Sequence, residues 1–227
     1  MSQLIDTTEM YLKTVYELYE EDIPALRARI VERLEQSGPT VSETVSRMER
    51  DGLLHVGSNR HIEFTAEGLQ QALHVMRRHR LVERLLSDVI KLDWPQLHDE
   101  ACRWEHVVSE DVADKIAQLL DDPHSDPYGN PIPDREAQEI YTVSQDGVTA
   151  LSTLEESAHG RIYTIARIAE SVQLDVDILE MLYDEGVLPG ADIVVNEVRD
   201  GDVLVSCGEH AVRLSGDVAR GIFIRER

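Results

Sequence analysis

The chain has 227 residues, of which 42% are apolar, and a formal net charge of −22. This length allows one large domain or two to three small ones, each with a real hydrophobic core. No run approaches the ~18 consecutive apolar residues of a membrane helix, the polar start Met1-Ser2-Gln3 does not resemble a secretory signal, and two distant cysteines make no disulfide framework, so we expect a cytoplasmic protein with no membrane segment.

The first elements in chain order predict a winged helix-turn-helix. The sequence favours helices over residues 6–21, 25–35 and 39–51, and a tight turn at Ser37-Gly38 joins the second helix to the third. Two short runs with alternating apolar residues, 53–56 and 61–64, predict a β-hairpin. Three helices followed by such a hairpin are typical of a DNA-binding fold.

The charge distribution favours a DNA-binding role for this segment. Residues 27–60 contain six arginines and five carboxylates, so the segment is nearly neutral in a chain that is otherwise strongly acidic. In this fold the second helix of the motif reads bases, and neighbouring polar and basic groups hold phosphates. The alternative is a solvated helical hairpin with no DNA role. The candidate DNA contacts are Arg27, Ser37, Pro39, Thr40, Ser42, Glu43, Arg47, Arg50 and Arg60.

A helix rich in possible metal ligands follows. Residues 65–92 predict a long helix that a break at 93–95 ends, and residues 95–108 predict the next helix. Thiol, imidazole and carboxylate groups share about one third of the circumference of this second helix. Such a face is costly to bury as ordinary core, so it favours a divalent cation. The four residues on it are His98, Cys102, Glu105 and His106.

The spacing of these ligands requires two sites. His98 and His106 are eight residues apart, about 12 Å along a helix axis, so one ion cannot bind both. The preceding helix carries His79 and Glu83, and antiparallel packing would bring this pair to His98. The remaining set is Cys102, Glu105 and His106, at helical i+3 and i+4 spacing. Its sulfur, oxygen and nitrogen donors suit Fe(II), Co(II) or Ni(II) better than structural zinc or calcium.

Two other interpretations of the ligand cluster stay open on the residues alone. The same side chains would form a salt-bridge network with the arginines of the two helices, which are Arg77, Arg78, Arg80, Arg84 and Arg103. A metal hydrolase would need an open coordination position and a general base, and the chain has free carboxylates but no His-Glu-x-x-His run. A winged helix beside a metal cluster favours a metal-controlled switch over an enzyme.

The C-terminal half has a different character. Ser109 begins a further helix that runs to about residue 120, and the Pro- and Gly-containing stretch 121–147 predicts irregular structure. Short strands are expected at 150–154, 161–168, 193–198, 203–206, 211–214 and 221–224, with a single helix at about 175–185. Many short strands separated by turns are typical of a small barrel.

Long runs of the sequence resemble the diphtheria toxin repressor family of iron-dependent regulators. The resemblance lies in residues 6–12, 26–30, 32–42, 47–53, 98–106 and 129–133, and it is weaker beyond residue 148. It implies a mainly α fold with a C-terminal β domain. We expect a winged-helix DNA-binding domain over 1–73, a metal-binding and dimerisation domain over 74–140, a linker over 141–150 and an SH3-like small barrel over 151–227.

The resemblance also implies ligands that spacing does not single out. Met10 would join Cys102, Glu105 and His106 at the activating metal site. In the family pattern the SH3-like domain adds two ligands to the second site, and the matching residues here are Glu170 and Gln173. Arg80 and Asn130 match residues that would hold an anion near that site.

Two positions depart from the family pattern. Asp126 stands where the family has a serine beside the expected anion, and Glu43 stands where it typically presents glutamine to bases. A glutamine pairs with adenine, whereas a glutamate only accepts hydrogen bonds and repels phosphate. We therefore expect Glu43 to alter operator preference or affinity.

The resulting hypothesis is a repressor rather than an enzyme. We expect a homodimer that binds two Fe(II) per subunit and then double-stranded operator DNA, with two dimers on one operator as a further arrangement, and no membrane partner. Co(II), Ni(II), Mn(II) and Zn(II) are expected substitutes for iron. The rivals are a metal-independent winged-helix regulator and a metalloenzyme.

Overall fold

A computed structural model describes residues 6–227. The chain forms two compact units, and three segments of the chain contribute to each. The first unit comprises the residues through Val82 together with Ala101–His124 and Ile132–Thr142. The second comprises Glu83–Glu100, Ser125–Pro131 and Val143–Arg227.

The first unit begins with the predicted helix-turn-helix. Its helices are α1 (Thr7–Glu20), α2 (Arg27–Leu34) and α3 (Gly38–Arg50), each within two residues of the prediction. The Asp6 carboxylate accepts hydrogen bonds from two backbone N–H groups at the start of α1, and the Ser37 hydroxyl caps α3 in the same way. These caps satisfy donors that a helix start otherwise leaves unpaired.

The wing is a two-stranded antiparallel hairpin of β1 (Leu54–Val56) and β2 (Ile62–Phe64). Leu54 and Ile62, the first residues of the two strands, are buried, and the next residue of each strand, His55 or Glu63, is exposed to solvent. This alternation is the period-2 pattern of a half-buried sheet. The core beneath it draws on α1, α2, α3 and the wing, and its members include Tyr11, Leu12, Val15, Ile30, Val41, Met48, Leu54 and Ile62.

The helices that follow differ in detail from the prediction. The α-helical part of the long helix, α4, is Ala66–Leu85, and a π-helical turn at Leu86–Ile90 continues it. The ligand-rich helix is shorter than the predicted 95–108. A 3-10 turn at Trp94–Gln96 leads into α5 (Leu97–Trp104), and α6 is Glu110–Leu119 with Ser109 as its N-cap. Helix α5 ends early because the chain tightens at residues 105–107, where the N–H groups of Val107 and Val108 both donate to the carbonyl of Trp104.

The second unit is built on a six-stranded antiparallel sheet. Its strands run in the order β3-β8-β4-β5-β6-β7. Their bounds are β3 (Thr149–Ala150), β4 (Ile162–Ile168), β5 (Asp192–Arg199), β6 (Asp202–Cys207), β7 (His210–Leu214) and β8 (Ile222–Glu226). The predicted strand at 150–154 is wrong after its first residue, because Leu151–Thr153 form a 3-10 turn that buries Leu151.

The prediction of a single helix in this region was also wrong. The structure has α8 (Glu170–Gln173), α9 (Val176–Asp184) and α10 (Gly216–Arg220) there, and α7 (Val143–Asp146) lies in the stretch that was predicted to be irregular. Three of these four helices have five residues or fewer, which is too short to show a 3.6-residue apolar period in the sequence. The fold class, helical with a C-terminal β domain, is as predicted.

Within residues 6–227 the structure has no helix with the length and apolar character needed to cross a membrane.

Candidate metal centre and DNA-binding face

The metal-ligand candidates of the first unit meet one face of α1. Glu9 and Lys13 lie one helical turn apart on this face, and both contact residues that directly follow α5. The Lys13 ammonium donates to Glu105 Oε2 at 3.3 Å and lies 3.4 Å from Cys102 Sγ and 3.1 Å from His79 Nδ1. One cation thus lies among a carboxylate, a thiol and an imidazole.

Glu105 is the buried carboxylate of this cluster. Its side chain is 3% exposed, and Oε2 lies 2.6 Å from His79 Nδ1. Burial alone raises the pKa of this carboxyl, but the charge of Lys13, the hydrogen bond with His79 and the charges of His79 and His106 together hold that pKa below its ordinary value. Glu105 therefore stays ionised and available as an oxygen ligand.

His106 contacts both Glu9 of α1 and the buried carboxylate of Glu105. Its Nδ1 lies 2.7 Å from Glu9 Oε2, and its Nε2 lies 3.4 Å from Glu105 Oε1. The hydrogen bond to Glu9 is the largest reason that the pKa of His106 is raised. Burial lowers this pKa, the charges of Glu105 and Glu9 raise it, and the charge of Lys13 lowers it. Arg78 holds the same region together, because it donates to Glu9, to Glu110 and to the carbonyl of Glu105.

The chemistry of this donor set fits a divalent transition metal. A thiol, a carboxylate and imidazoles converge within one buried cluster, and mixed sulfur, oxygen and nitrogen donors suit ions of intermediate softness. Met10 lies in the first turn of α1, is half-buried, and packs against the winged-helix core. Glu105 and His106, which were predicted to lie within the ligand-rich helix, lie beyond the last residue of α5.

The second predicted set is found in part within the second unit. His98 Nδ1 lies 3.3 Å from Glu83 Oε1, and both residues are buried. Glu170 and Gln173 are the first and last residues of α8, and both are buried as well. The Oε1 atom of Gln173 is buried without a hydrogen-bond partner among the described residues, which fits an oxygen that acts as a cation ligand. His79, predicted to join this set, contacts Glu105 in the first unit.

The residues predicted to hold an anion are each paired with a carboxylate. Arg80 is fully buried and forms two hydrogen bonds with Glu20, at 2.8 and 2.6 Å. Asn130 donates from both its backbone and its side chain to Asp126, and its amide also reaches the carbonyl of Ile168. These carboxylates use donors that an external anion would need. An anion at these residues stays a prediction, and no contact of the described structure supports it.

The predicted DNA-binding residues of α3 share its solvent-exposed face. Pro39, Thr40, Ser42, Glu43, Arg47 and Arg50 are all exposed, while the opposite face of the helix is buried. Ser37 is exposed at the N-cap and hydrogen bonds with Thr40. Arg60 is exposed at the wing turn with a φ of 66°, and Arg27 is half-buried at the start of α2. This face presents polar and basic groups together, as a major-groove helix requires.

Sequence reasoning missed three residues of these clusters. Lys13 and Glu9 contact the ligand candidates, and Glu20 pairs with Arg80. The available signal was the helical spacing of Glu9, Lys13 and Glu20 on α1, which places ionisable groups on a helix that is otherwise largely buried.

Family models match nearly the whole chain. Residues 3–62 match the iron-dependent repressor N-terminal DNA-binding domain, and residues 65–134 match the iron-dependent repressor metal-binding and dimerisation domain. Residues 150–226 match the FeoA domain.

The whole chain is similar to proteins named as repressors. The iron-dependent repressor IdeR of Mycobacterium leprae is 46% identical over 230 residues, and the match covers 100% of both chains. The diphtheria toxin repressor of Corynebacterium glutamicum is 48% identical over 232 residues, and the match covers 100% of this chain and 99% of the relative.

Solved structures agree with these matches. The T. acidophilum IdeR structure is 26% identical with a TM-score of 0.77, and it covers 97% of this chain and 98% of its own. A manganese-dependent transcriptional repressor in complex with manganese is 27% identical with a TM-score of 0.79, covering 97% and 100%. ScaR with bound Zn²⁺ is 25% identical with a TM-score of 0.79, covering 97% and 100%.

Proposed function

Because the chain belongs to the iron-dependent repressor family, we propose that it is an Fe(II)-activated, sequence-specific DNA-binding repressor that controls genes of iron homeostasis. The family consists of transcriptional repressors and not of enzymes, so the metalloenzyme alternative falls away. Acting on chromosomal DNA, the protein would work in the cytoplasm.

Two Fe(II) sites per subunit are proposed. The activating site uses Met10, Cys102, Glu105 and His106, and the second uses His79, Glu83, His98, Glu170 and Gln173. Bound iron would supply a divalent charge that carboxylate, thiolate and imidazole donors share. Co(II), Ni(II), Mn(II) and Zn(II) would substitute, since N, O and S ligands discriminate weakly among these ions.

One observation carries the proposal: the ligand cluster lies directly against α1. Glu9 and Lys13 contact the residues that directly follow α5. On the other side of α1, Tyr11, Leu12 and Val15 lie in the winged-helix core. A metal that draws Met10 toward Cys102 and Glu105 would move or fix α1, and with it the helices packed on it. Such a change biases the winged helix toward its DNA-binding arrangement.

The partner is proposed to be double-stranded operator DNA, bound by a homodimer. The segment that matches a dimerisation domain exposes large apolar side chains, with Val107 75% and Leu119 63% exposed. A partner subunit that covers such side chains would remove apolar surface from water. The winged helices of two subunits would read two half-sites. Two dimers on one operator are proposed as the fuller complex, which sedimentation with operator duplexes would measure.

The test uses the two cysteines of the chain as a matched pair. Cys102 lies among the proposed ligands, whereas Cys207 lies in β6 and donates to the carbonyl of Gly186. Duplexes selected from a random pool with wild-type protein and Fe(II), under anaerobic conditions, supply the operator. Cys102→Ser should lose the Fe(II)-dependent gain in affinity for it, by about tenfold or more. Cys207→Ser should retain the gain. Equal Fe(II) dependence in both variants would refute the assigned site, and tight binding in chelator would favour a metal-independent regulator.

A further inference from the structure

The ammonium of Lys13 lies among three of the proposed metal ligands. Three donor atoms of different chemistry surround it, His79 Nδ1 at 3.1 Å, Glu105 Oε2 at 3.3 Å and Cys102 Sγ at 3.4 Å. All four residues belong to the first unit. Cys102 and Glu105 are proposed ligands of the activating metal, so that metal and this ammonium would use two of the same donors.

A lysine is an unusual residue for such a place. Its side chain is 7% exposed, although lysine is among the residues that proteins bury least. Burying the charge is costly unless a partner compensates it, and the partner here is the ionised Glu105, which is itself 3% exposed. Each charge therefore depends on the other in this cluster.

A metal ion and the ammonium cannot share these donors. Metal–ligand bonds to nitrogen, oxygen and sulfur are about 2.0–2.3 Å long, so the donors must close around the ion and leave no room for Nζ among them. Two cations at this separation in a buried site would also repel each other strongly. The ammonium must leave before the metal can be coordinated.

We propose that Lys13 is a built-in competitor for the activating metal: its ammonium neutralises Glu105 in the metal-free protein and has to be displaced by Fe(II). Lys13 thereby raises the Fe(II) concentration at which half of the repressor is loaded. It also keeps the metal-free cluster folded, because it compensates a buried carboxylate. This inference rests on the proposed function of the cluster as a metal site, and it adds a residue that sets the threshold of the response.

Because Lys13 lies on α1, displacement of its ammonium by the metal also changes how α1 is held. Lys13 is one turn from both Glu9 and Met10, so it shares their face of the helix. Displacing its ammonium removes one tie between α1 and Glu105, at the moment when coordination through Met10 supplies another. The helix thus exchanges a monovalent contact for a divalent one.

The experiment measures Co(II) affinity and thermal stability in full-length variants. Co(II) is the probe because its bond to the Cys102 thiolate gives an absorption band that reports binding at this cluster. Lys13→Gln removes the competing charge, and Lys13→Arg keeps a cation at the position. Lys115→Gln is the control, since Lys115 is exposed on α6 and hydrogen bonds with Gln118.

The expected results move in opposite directions. Lys13→Gln should bind Co(II) about tenfold more tightly or better, while its melting temperature without metal falls below that of the wild type. With saturating Co(II) that deficit should disappear. Lys13→Arg should bind Co(II) within a few-fold of the wild type, and Lys115→Gln should match the wild type in both measurements.

Three results would overturn the inference. Equal or weaker Co(II) binding by Lys13→Gln would show that the ammonium does not compete. A stability deficit that Co(II) leaves unchanged would make Lys13 an ordinary structural ion pair. If the thiolate band is absent from the wild type and from every variant, the metal site itself fails and the competition fails with it. If instead the band is present but the Co(II) affinity is the same in Lys13→Gln and the wild type, the metal site stands and only the competition is refuted.

Discussion

His106 Nδ1 and Glu9 Oε2 lie 2.7 Å apart, which joins the end of the ligand-rich segment to the first turn of α1. This pair is a contact between two parts of the chain that are 97 positions apart in sequence. Arg78 donates to the same glutamate, so Glu9 is shared between a permanent cation and a titratable one.

The His106–Glu9 contact predicts a pH-dependent stability for the metal-free protein. The pKa of His106 is raised in the folded state, so the pair contributes stability that is fully present below the ordinary pKa and is lost as pH rises through the folded pKa. Glu9→Gln should therefore destabilise the protein by about 1 kcal/mol more near pH 6 than near pH 8.5. Urea denaturation in chelator measures this.

Glu110→Gln is the control for that prediction. Glu110 pairs with Arg78 at 2.7 Å, as Glu9 does. The destabilisation by Glu110→Gln should stay constant across the same pH interval because arginine does not titrate there. The same pH dependence in both variants would show that His106 is not the cause.

Arg47 tests the DNA-binding face of α3. Its side chain is exposed among the residues predicted to face the groove. If it neutralises one phosphate, Arg47→Ala should weaken operator binding and reduce the slope of log affinity against log salt by about 1. Arg199→Ala, at an exposed residue in β5, should leave both quantities unchanged. An unaltered slope in Arg47→Ala would remove this arginine from the phosphate contacts.

Glu43 tests sequence preference rather than affinity alone. It is exposed on the same face of α3 and carries a negative charge toward the proposed DNA. Glu43→Gln should tighten operator binding by about tenfold and shift preference toward adenine at one position, since glutamine both donates and accepts. Selection from a random duplex pool measures the preference, and Glu136→Gln, exposed outside the winged helix, is the control. Identical selected sequences and affinity would contradict the assignment.

Gly68 tests how α4 is held to the wing. A Cβ at this position would lie 1.9 Å from the carbonyl oxygen of Leu53, so α4 and the residue that precedes β1 would have to separate. Gly68→Ala should destabilise the protein by about 2 kcal/mol or more. Gly38→Ala, where a Cβ meets nothing within 4 Å, should stay within about 1 kcal/mol of the wild type. Thermal denaturation of both variants decides, and equal stability would contradict this packing.

The winged helix was predictable because its signals are local. The turn at Ser37-Gly38, the alternation of the hairpin and the caps of the helices each act within a few residues, and they gave helix bounds within two residues. The early end of α5 was not predictable in this way. Residues 105–108 contain neither glycine nor proline, and the turn there depends on backbone hydrogen bonds to Trp104.

The candidate site was predictable only as far as helical spacing reaches. Spacing placed Cys102, Glu105 and His106 near one another, but it could not show that Glu9 and Lys13, about ninety positions earlier, contact them. The order of the six strands in the second unit is likewise set by pairing between distant segments, such as β3 with β8.

The most direct test of iron activation compares the operator affinity of the wild-type protein in Fe(II) and in chelator, under anaerobic conditions and at fixed salt. Fluorescence anisotropy of the selected duplex measures both. Fe(II) should tighten binding by at least about tenfold, and the duplex should tighten Fe(II) binding by the same factor, since the coupling is reciprocal. Equal operator affinity with Fe(II) and with chelator would contradict it.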